Sequence, residues 1–315
     1  MGELSKKIGE KGEKLVTNFL SLLGWDDLPD GKSISCHHPE KHKRTEKNRT
    51  THGIDLFYSA KSQVQDFTLD NVVISVKYTS NAYPNSPASK FKEHLKDLAQ
   101  TVECFMNSDL RAESNEEYEF TGITNVNDTG VLMWLTNHKD SDQDIVKKIS
   151  NINLDRDLSF SSIQVVDNAR AAFIYDAISF VKAKYSNSDV YFHYAFSSVN
   201  YKDPGIEKYG AIFPVEYLTS DVIPFRVIDP DTNHVTFCLS TRDNFSENSL
   251  NRLLYLASDV SQKFTGDFAL LFPDYDTLEH ESIVKKAKRT HSKSQNKTSI
   301  TVHSYGNDFR NLINE

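Results

Sequence analysis

Residues 51–79 contain the feature that most constrains the fold, two short strand patterns joined by a polar turn. Antiparallel pairing about a turn centred near residue 66 sets Asp55 opposite Lys77, and such cross-strand neighbours have Cβ atoms about 5 Å apart. Ser75 lies two residues before Lys77 and shares its face of the strand. The pattern therefore predicts a carboxylate and an ammonium group together at one edge of a sheet.

Three segments in the first part of the chain carry a resemblance to a known superfamily. They are Gly12-Glu13 followed by LVTNFLSLLGW, then Gly53-Ile54-Asp55, and then VVISVK ending at Lys77. In this order and at this compact spacing they resemble the PD-(D/E)xK nucleases, in the style of Mrr-like restriction enzymes. The resemblance covers about the first 135 residues. It implies an α/β fold, a restriction-endonuclease-like αβββαβ core with a mixed central sheet.

The resemblance also implies a site for metal-assisted hydrolysis of a phosphodiester bond. Such a site uses Mg²⁺, with Mn²⁺ as an alternative, held by hard oxygen ligands. The implied metal-binding residues are Asp55, Glu13 and Val76. Lys77 is expected to hold the scissile phosphate or to orient the attacking water. The alternative is an ordinary surface hairpin in which Asp55 and Lys77 form an exposed ion pair.

Ser75 departs from the pattern of the superfamily, which usually has Asp or Glu two residues before the lysine. Some restriction enzymes of the superfamily have an S-V-K strand and take the missing acid from the following helix. Glu93, in a helix predicted from about residue 88 to 106, is the candidate for this migrated carboxylate, although it lies opposite the apolar stripe of that helix. A site that works without this acid and a site that has lost cleavage are the alternatives.

An amphipathic helix is predicted from about Leu4 to Leu23, because its apolar residues form one broad stripe. Glu13 borders this stripe, so it is the better match to the helix glutamate of the superfamily. Glu10 lies farther from the stripe and is expected to be solvated. A glutamate at a helix edge is also common without any functional role.

Positive charge is concentrated in two segments of a chain whose net charge is −8. A phosphate backbone responds to the local field, so both segments are candidate contacts for nucleic acid. The predicted contact residues are Lys41, Lys43, Arg44, Lys47, Arg49 and His52 in the first segment and Lys285, Lys286, Lys288 and Arg289 in the second. Solvated loops without a partner are the alternative, and a protein partner would suit the acidic remainder.

The first basic segment also contains residues that bind zinc in other proteins, namely Cys36, His38, His42 and His52. Their spacing fits no familiar pair of zinc ligands, and lysine and arginine dominate between them. A mobile basic loop that orders on binding nucleic acid is the preferred interpretation. His52 is expected to contact a phosphate or a metal-bound water, or to cap a turn.

At 315 residues the chain is long enough for one large domain or two medium ones. We predict a nuclease-like core over residues 1–138 and a C-terminal α/β region over residues 139–315, with a β-α-β-α ending and a short terminal helix. One sheet extending through both halves is the alternative. No run of about 18 apolar residues and no signal peptide is found, so no membrane association is expected.

The predicted function is that of a Mg²⁺-dependent DNA endonuclease of prokaryotic restriction or anti-phage defence. The alternative is a nucleic-acid-binding scaffold subunit on the same fold, in which Ser75 marks the loss of full metal coordination. A homo-oligomer or a complex with a second defence protein is expected. Three widely spaced cysteines favour a reducing, cytoplasmic environment.

Overall fold

The chain is described by a computed structural model over residues 2–43, 46–139, 143–197, 199–200, 202–203, 207–262, 264–294 and 299–305. The described residues divide into two compact units. Unit 1 ends at Ala171 and unit 2 begins at Ala172.

Unit 1 is built around a five-stranded mixed sheet in the order β1-β2-β3-β4-β5. The strands β1, β2 and β3 are antiparallel, whereas β4 and β5 continue the sheet in parallel from β3. This arrangement confirms the predicted restriction-endonuclease-like α/β fold. The elements are α1 (Gly2–Leu22), β1 (Asp30–Ser35), β2 (Thr51–Lys61), β3 (Thr68–Thr79), α2 (Ala88–Phe105), α3 (Asp109–Glu116), β4 (Asn125–Thr136), α4 (Ile145–Ile149) and β5 (Ser162–Val166).

The pairing of β2 with β3 differs from the prediction by two residues. Leu56 pairs with Ile74, and the same register brings Asp55 opposite Ser75 instead of Lys77. The cause is the turn, which closes where Ser62 N–H donates to the carbonyl oxygen of Thr68 and is therefore centred on residue 65. A shift of two residues preserves the face of each side chain, so Asp55, Ser75 and Lys77 still share one face.

Helix α1 lies very close to the sheet at Gly12. A Cβ atom on Gly12 would lie 2.4 Å from Cβ of Tyr78 on β3, so only glycine fits this contact. On the same helix Leu15, Val16 and Phe19 are buried in the core. The close approach brings the next residue of α1 beside the C-terminal half of β3.

We expect Gly12→Ala to lower the free energy of unfolding by about 1–3 kcal/mol, because the added methyl group overpacks the contact with Tyr78. Helix propensity alone would favour alanine by up to about 1 kcal/mol. Urea denaturation measures the difference. Gly9→Ala on the same helix is the matched control, since a Cβ there meets nothing within 4 Å. Equal stability of the two variants would contradict the packing argument.

Unit 1 extends beyond residue 138, which was the predicted end of the nuclease-like core. Strand β5 adds to the edge of β4, and the side chain of Asn168 ties the following segment to the sheet. Its Oδ1 accepts hydrogen bonds from the hydroxyl of Tyr83 at 3.0 Å and from the backbone N–H of Thr136 at 3.0 Å. These contacts explain why the division falls after Ala171.

Unit 2 contains a separate six-stranded sheet in the order β11-β10-β9-β8-β6-β7. The alternative of one sheet through both halves is therefore wrong for the described strands. The predicted short terminal helix falls on residues 306–315, outside the described residues. The elements are α5 (Asn168–Lys184, which begins in unit 1), β6 (Asp189–His193), β7 (Tyr209–Gly210), β8 (Val222–Ile228), β9 (Val235–Thr241), α6 (Glu247–Val260), β10 (Asp267–Phe272), α7 (Thr277–Ser294) and β11 (Ser299–Ser304).

None of the helices that the structure describes combines the length and the apolar character that a membrane span requires.

Candidate active site

A cleft of about 570 Å³ opens on the face of β2 and β3 that carries Asp55. Its walls are the ends of these two strands, helix α2 and the segment that leads into β2. We call it the Asp55 cleft. Its polar lining includes Lys47, Arg49, Thr51, Asp55, Ser75, Lys77, Asp97 and Thr101.

The carboxylate of Asp55 is oriented by the neighbouring strand. Its Oδ2 accepts a hydrogen bond from Val76 N–H at 2.6 Å and a longer one from Ser75 Oγ at 3.3 Å. Within the described part of the chain, no hydrogen-bond donor to Oδ1 of Asp55 is found. One oxygen of Asp55 is thus held by β3, and the other is available to a ligand in the cleft.

Asp97 is an acidic residue of the cleft that the sequence analysis missed. It lies on α2, and its Oδ2 is 3.6 Å from Nζ of Lys77. Its Oδ1 accepts a hydrogen bond from Nη1 of Arg49 at 2.8 Å. The carboxylate therefore bridges the two cations that line the cleft, and it places negative charge beside Lys77.

Glu93, the predicted source of the migrated acid, lies one helical turn before Asp97 and does not line the Asp55 cleft. Its side chain is 67% exposed and pairs with Lys90 at 2.8 Å. The hydrogen bond from Lys90 lowers the pKa of Glu93. The structure thus places a solvent-facing ion pair at residue 93 and the acid nearest to Lys77 at residue 97.

Glu13 of α1 approaches the site from the other side of β3. It lines a pocket together with Val76, Lys77 and His94. Partial burial raises the pKa of Glu13, and the negative charge of Asp55 raises it further. Two carboxylates therefore repel each other near Val76, which is an arrangement that a bound cation relieves.

His94 is a second neighbour of Lys77 that the sequence analysis did not identify. Burial, followed by the positive charge of Lys77, lowers the pKa of His94 to about 4. Its ring packs edge-on against Trp134 with the centroids 5.5 Å apart. His94 is therefore neutral at neutral pH and adds no positive charge beside the lysine.

The first basic segment lies against helix α2 in its described residues, and its mobility and its ordering on nucleic acid stay predictions. Lys41 Nζ donates to both carboxylate oxygens of Glu103, at 2.6 and 2.8 Å. Lys43 lines a pocket next to Lys77, and Lys47 lines the Asp55 cleft. The ion pairs of Lys41 with Glu103 and of Arg49 with Asp97 attach the segment to α2. Arg44 lies outside the described residues.

His52 is placed differently from the prediction. Its side chain is fully buried, so it is not positioned to contact a phosphate or a metal-bound water in the cleft. Its ring faces His42, with Nε2 lying 3.2 Å from Nδ1 of His42. Its neighbours explain the difference, because the ring lies between His42 and helix α2, where Nδ1 of His52 is 3.3 Å from the hydroxyl of Thr101.

The second basic segment lies on helix α7 of unit 2. Lys285 pairs with Glu281 at 2.9 Å, and Lys286 pairs with Glu247 at 2.6 Å. Lys288 and Arg289 are exposed on the same helix. Two of the four predicted contact residues therefore have glutamates beside them, which weakens the positive field of this segment.

The donor atoms around Asp55 suit a hard divalent cation. The carboxylates of Asp55 and Asp97 line the cleft, Glu13 lines the pocket on the other side of β3, and the backbone of Val76 lies next to Asp55. Mg²⁺ and Mn²⁺ prefer such oxygen ligands.

A mixed sheet flanked by helices, with an aspartate and a lysine on adjacent strands and a helix glutamate beside them, defines a nuclease domain of the PD-(D/E)xK class. A family model described as the GAPS4 protein PD-(D/E)XK nuclease domain matches residues 1–170, and the chain belongs to this family. The resemblance drawn from the sequence motifs is thereby confirmed. No curated protein and no solved structure gives a significant match.

Proposed function

We propose that the chain is a metal-dependent DNA endonuclease that acts in prokaryotic restriction or anti-phage defence. The observation that supports this most is the convergence of Asp55, Lys77 and Asp97 in one cleft. The three residues come from two adjacent strands and the helix packed beside them. Such an arrangement provides metal ligands and a phosphate-binding cation within reach of one phosphodiester group.

Asp55 and Glu13, with the backbone of Val76, would hold the metal ion, for which we propose Mg²⁺ with Mn²⁺ as a substitute. When bound, the ion supplies Lewis-acid stabilisation of charge on the phosphate. Val76 N–H fixes the carboxylate of Asp55 at 2.6 Å, so that ligand is oriented before substrate arrives. Lys77 holds a phosphate oxygen through its ammonium group.

Asp97 takes the place of the acid that Ser75 cannot supply. Ser75 Oγ lies 3.3 Å from Asp55 Oδ2 and serves to orient that carboxylate. Asp97 Oδ2 lies 3.6 Å from Lys77 Nζ and brings a carboxylate to the lysine from helix α2. The site thereby has an aspartate on the first strand, a lysine on the second strand and an acid from the helix.

Lys43, Lys47 and Arg49 are the cations placed to follow the DNA backbone towards the cleft, because all three lie along its edge or in the adjoining pocket. Lys41 is engaged by Glu103. The exposed cations of α7 remain proposed contacts. We place the protein in the cytoplasm, since three cysteines far apart in the sequence are more typical of a reducing environment. The acidic remainder of the chain suits a homo-oligomer or a second defence protein.

One observation favours a second function, that of a nucleic-acid-binding scaffold subunit. Asp97 already accepts from Arg49 at 2.8 Å and lies near Lys77, so its carboxylate is compensated by protein cations. Such a site would bind DNA through Lys47 and Arg49 without needing a metal.

Cleavage of plasmid and linear DNA by the purified chain separates the two functions. We expect cleavage with Mg²⁺ or Mn²⁺, none in EDTA, and a rate at least about 100-fold lower for Lys77→Ala, because a positioned cation is lost from the phosphate. Thermal unfolding of Lys77→Ala provides the check that the variant is folded. A wild-type chain that cuts nothing but binds DNA equally well in EDTA would support the scaffold function.

A further inference from the structure

A second cluster of side chains in unit 1 lies apart from the carboxylates of the Asp55 cleft. It consists of Cys36, His42, His52 and Cys104, which we call the Cys–His cluster. One potential ligand atom from each residue lies within 4.8 Å of the other three. His42, His52 and Cys104 are fully buried, and Cys36 is partly buried. We propose that the Cys–His cluster binds one structural Zn²⁺ ion.

The three distances from Nδ1 of His42 to the other potential ligand atoms are close to those of a tetrahedral zinc site. Zn–S bonds of about 2.3 Å and Zn–N bonds of about 2.0–2.1 Å set two nitrogen ligands about 3.3 Å apart and a sulfur and a nitrogen about 3.5 Å apart. The two histidine nitrogens, Nδ1 of His42 and Nε2 of His52, are 3.2 Å apart. Sγ of Cys36 and Sγ of Cys104 lie 3.5 and 3.4 Å from Nδ1 of His42.

The hydrogen bonds on the far side of each ring determine which nitrogen faces the cluster. Nε2 of His42 lies 3.0 Å from a carboxylate oxygen of Glu103, which accepts only, so Nε2 carries the proton. The hydroxyl of Thr101 donates to the carbonyl oxygen of Asp97 at 2.8 Å, so it accepts from Nδ1–H of His52 at 3.3 Å. Carboxylate and hydroxyl partners of this kind orient metal-binding histidines.

These tautomers leave two lone pairs facing each other across 3.2 Å in a buried site, those of Nδ1 of His42 and Nε2 of His52. A cation between the rings would bind both lone pairs. A proton would bridge only two of the four atoms, whereas one Zn²⁺ ion binds all four. Two thiolates then balance its charge, and Cys₂His₂ is a common structural zinc set.

The zinc set considered from the sequence has His38 among its ligands. The structure puts Cys104 of α2 in the fourth position. His38 is instead half exposed, and its Nε2 lies 3.9 Å from Glu103 Oε1. With Cys104 in place of His38, the ligands come from two segments far apart in sequence. The lack of a familiar spacing between ligands in the basic segment therefore no longer argues against zinc. The ion would fasten the basic segment and the start of β2 to helix α2.

This position gives the zinc a role distinct from that of the proposed catalytic metal. His52 lies three residues before Asp55 on β2, and Thr101 both contacts His52 and lines the Asp55 cleft. Holding these residues fixes Arg49 of the basic segment against Asp97. We therefore expect loss of zinc to release the basic segment, with no direct removal of a ligand from the Asp55 cleft.

The test is the metal content of the full-length chain purified without chelators. We expect about one zinc per chain in the wild type and in His38→Ala, and less than about 0.2 in Cys104→Ser. Cys238→Ser, which removes the cysteine of unit 2, is the matched control and should keep its zinc. Asp55→Asn should also keep it, which separates this site from the proposed nuclease site. A wild type that purifies with less than about 0.1 zinc per chain and takes up none from solution would overturn the proposal.

A second measurement covers the case in which Cys104→Ser does not fold. Zinc-stripped wild type is titrated with Co²⁺, and we expect the thiolate-to-cobalt absorption and intense visible bands of a tetrahedral site at one equivalent. The Asp55 cleft has no cysteine and cannot produce the thiolate bands. Stripped protein should also be cut faster by trypsin between residues 41 and 49, with protection restored by Zn²⁺. Absence of thiolate bands in the wild type would overturn the site.

Discussion

Replacing Asp55 with asparagine should lower the rate of Mg²⁺-dependent DNA cleavage by about 10³-fold. The amide keeps the size of the side chain and can still accept from Val76 N–H, but it removes the charge that attracts the metal. A metal ion contributes several kcal/mol of transition-state stabilisation, which corresponds to a loss of this size. Single-turnover cleavage of a labelled duplex at saturating protein measures the chemical step directly.

Two controls make this result specific to the cleft. Asp157→Asn changes an exposed carboxylate of the same unit that does not line the cleft and should cut at the wild-type rate. Mg²⁺ should raise the melting temperature of the wild type more than that of Asp55→Asn, since a ligand that binds the folded state stabilises it. Full activity of a folded Asp55→Asn variant would exclude Asp55 as the central metal ligand.

Asp97→Asn should lower cleavage by about 10²-fold, whereas Glu93→Gln should change it less than about threefold. The difference is expected because Asp97 lies beside Lys77, while Glu93 faces solvent with Lys90. The two carboxylates are one turn apart on the same helix, so Glu93→Gln is a close control for effects on α2. Initial rates across a range of Mg²⁺ concentrations provide the measurement.

The dependence on Mg²⁺ also tells what Asp97 does. If its carboxylate binds the metal, Asp97→Asn should need more Mg²⁺ to reach its maximal rate. If it only positions Lys77 and Arg49, the maximal rate should fall while the Mg²⁺ requirement stays unchanged. A larger loss for Glu93→Gln than for Asp97→Asn would show that the acid is supplied by residue 93 after all.

Most of the secondary structure could be predicted because its determinants are local. The apolar stripe of α2 predicted a helix over residues 88–106, and the helix runs from Ala88 to Phe105. The amphipathic helix predicted from about Leu4 to Leu23 is α1, which runs from Gly2 to Leu22. Strand β5 was missed because its five residues, SIQVV, are too short to establish a period, and their strand conformation depends on pairing with β4.

The site was only partly predictable, for reasons that are physical. Asp55 and Lys77 could be placed on one face from strand alternation, but their register depended on a turn whose centre was misplaced by one residue. Asp97 could not be found, because helical periodicity says which side of α2 packs and not how the helix lies across the sheet. Cys104 carried no sign of a ligand, since a lone buried cysteine in a helix usually packs as a small hydrophobe and its partners lie in a distant segment of the sequence.

The parallel pairing of β3 with β4 has a consequence for the nascent chain. Lys77 aligns with Trp134, so the strand that supports the lysine leaves the ribosome well after the lysine itself. The local hairpin with Asp55 can form early, but parallel pairing requires a long loop to close and is intrinsically slow. Until β4 and α2 have docked, a ribosome-bound fragment contains Asp55 and Lys77 without the strand and the helix that pack beside them. If the chain cuts DNA as proposed, we therefore expect cleavage to begin only after β4 has been synthesised.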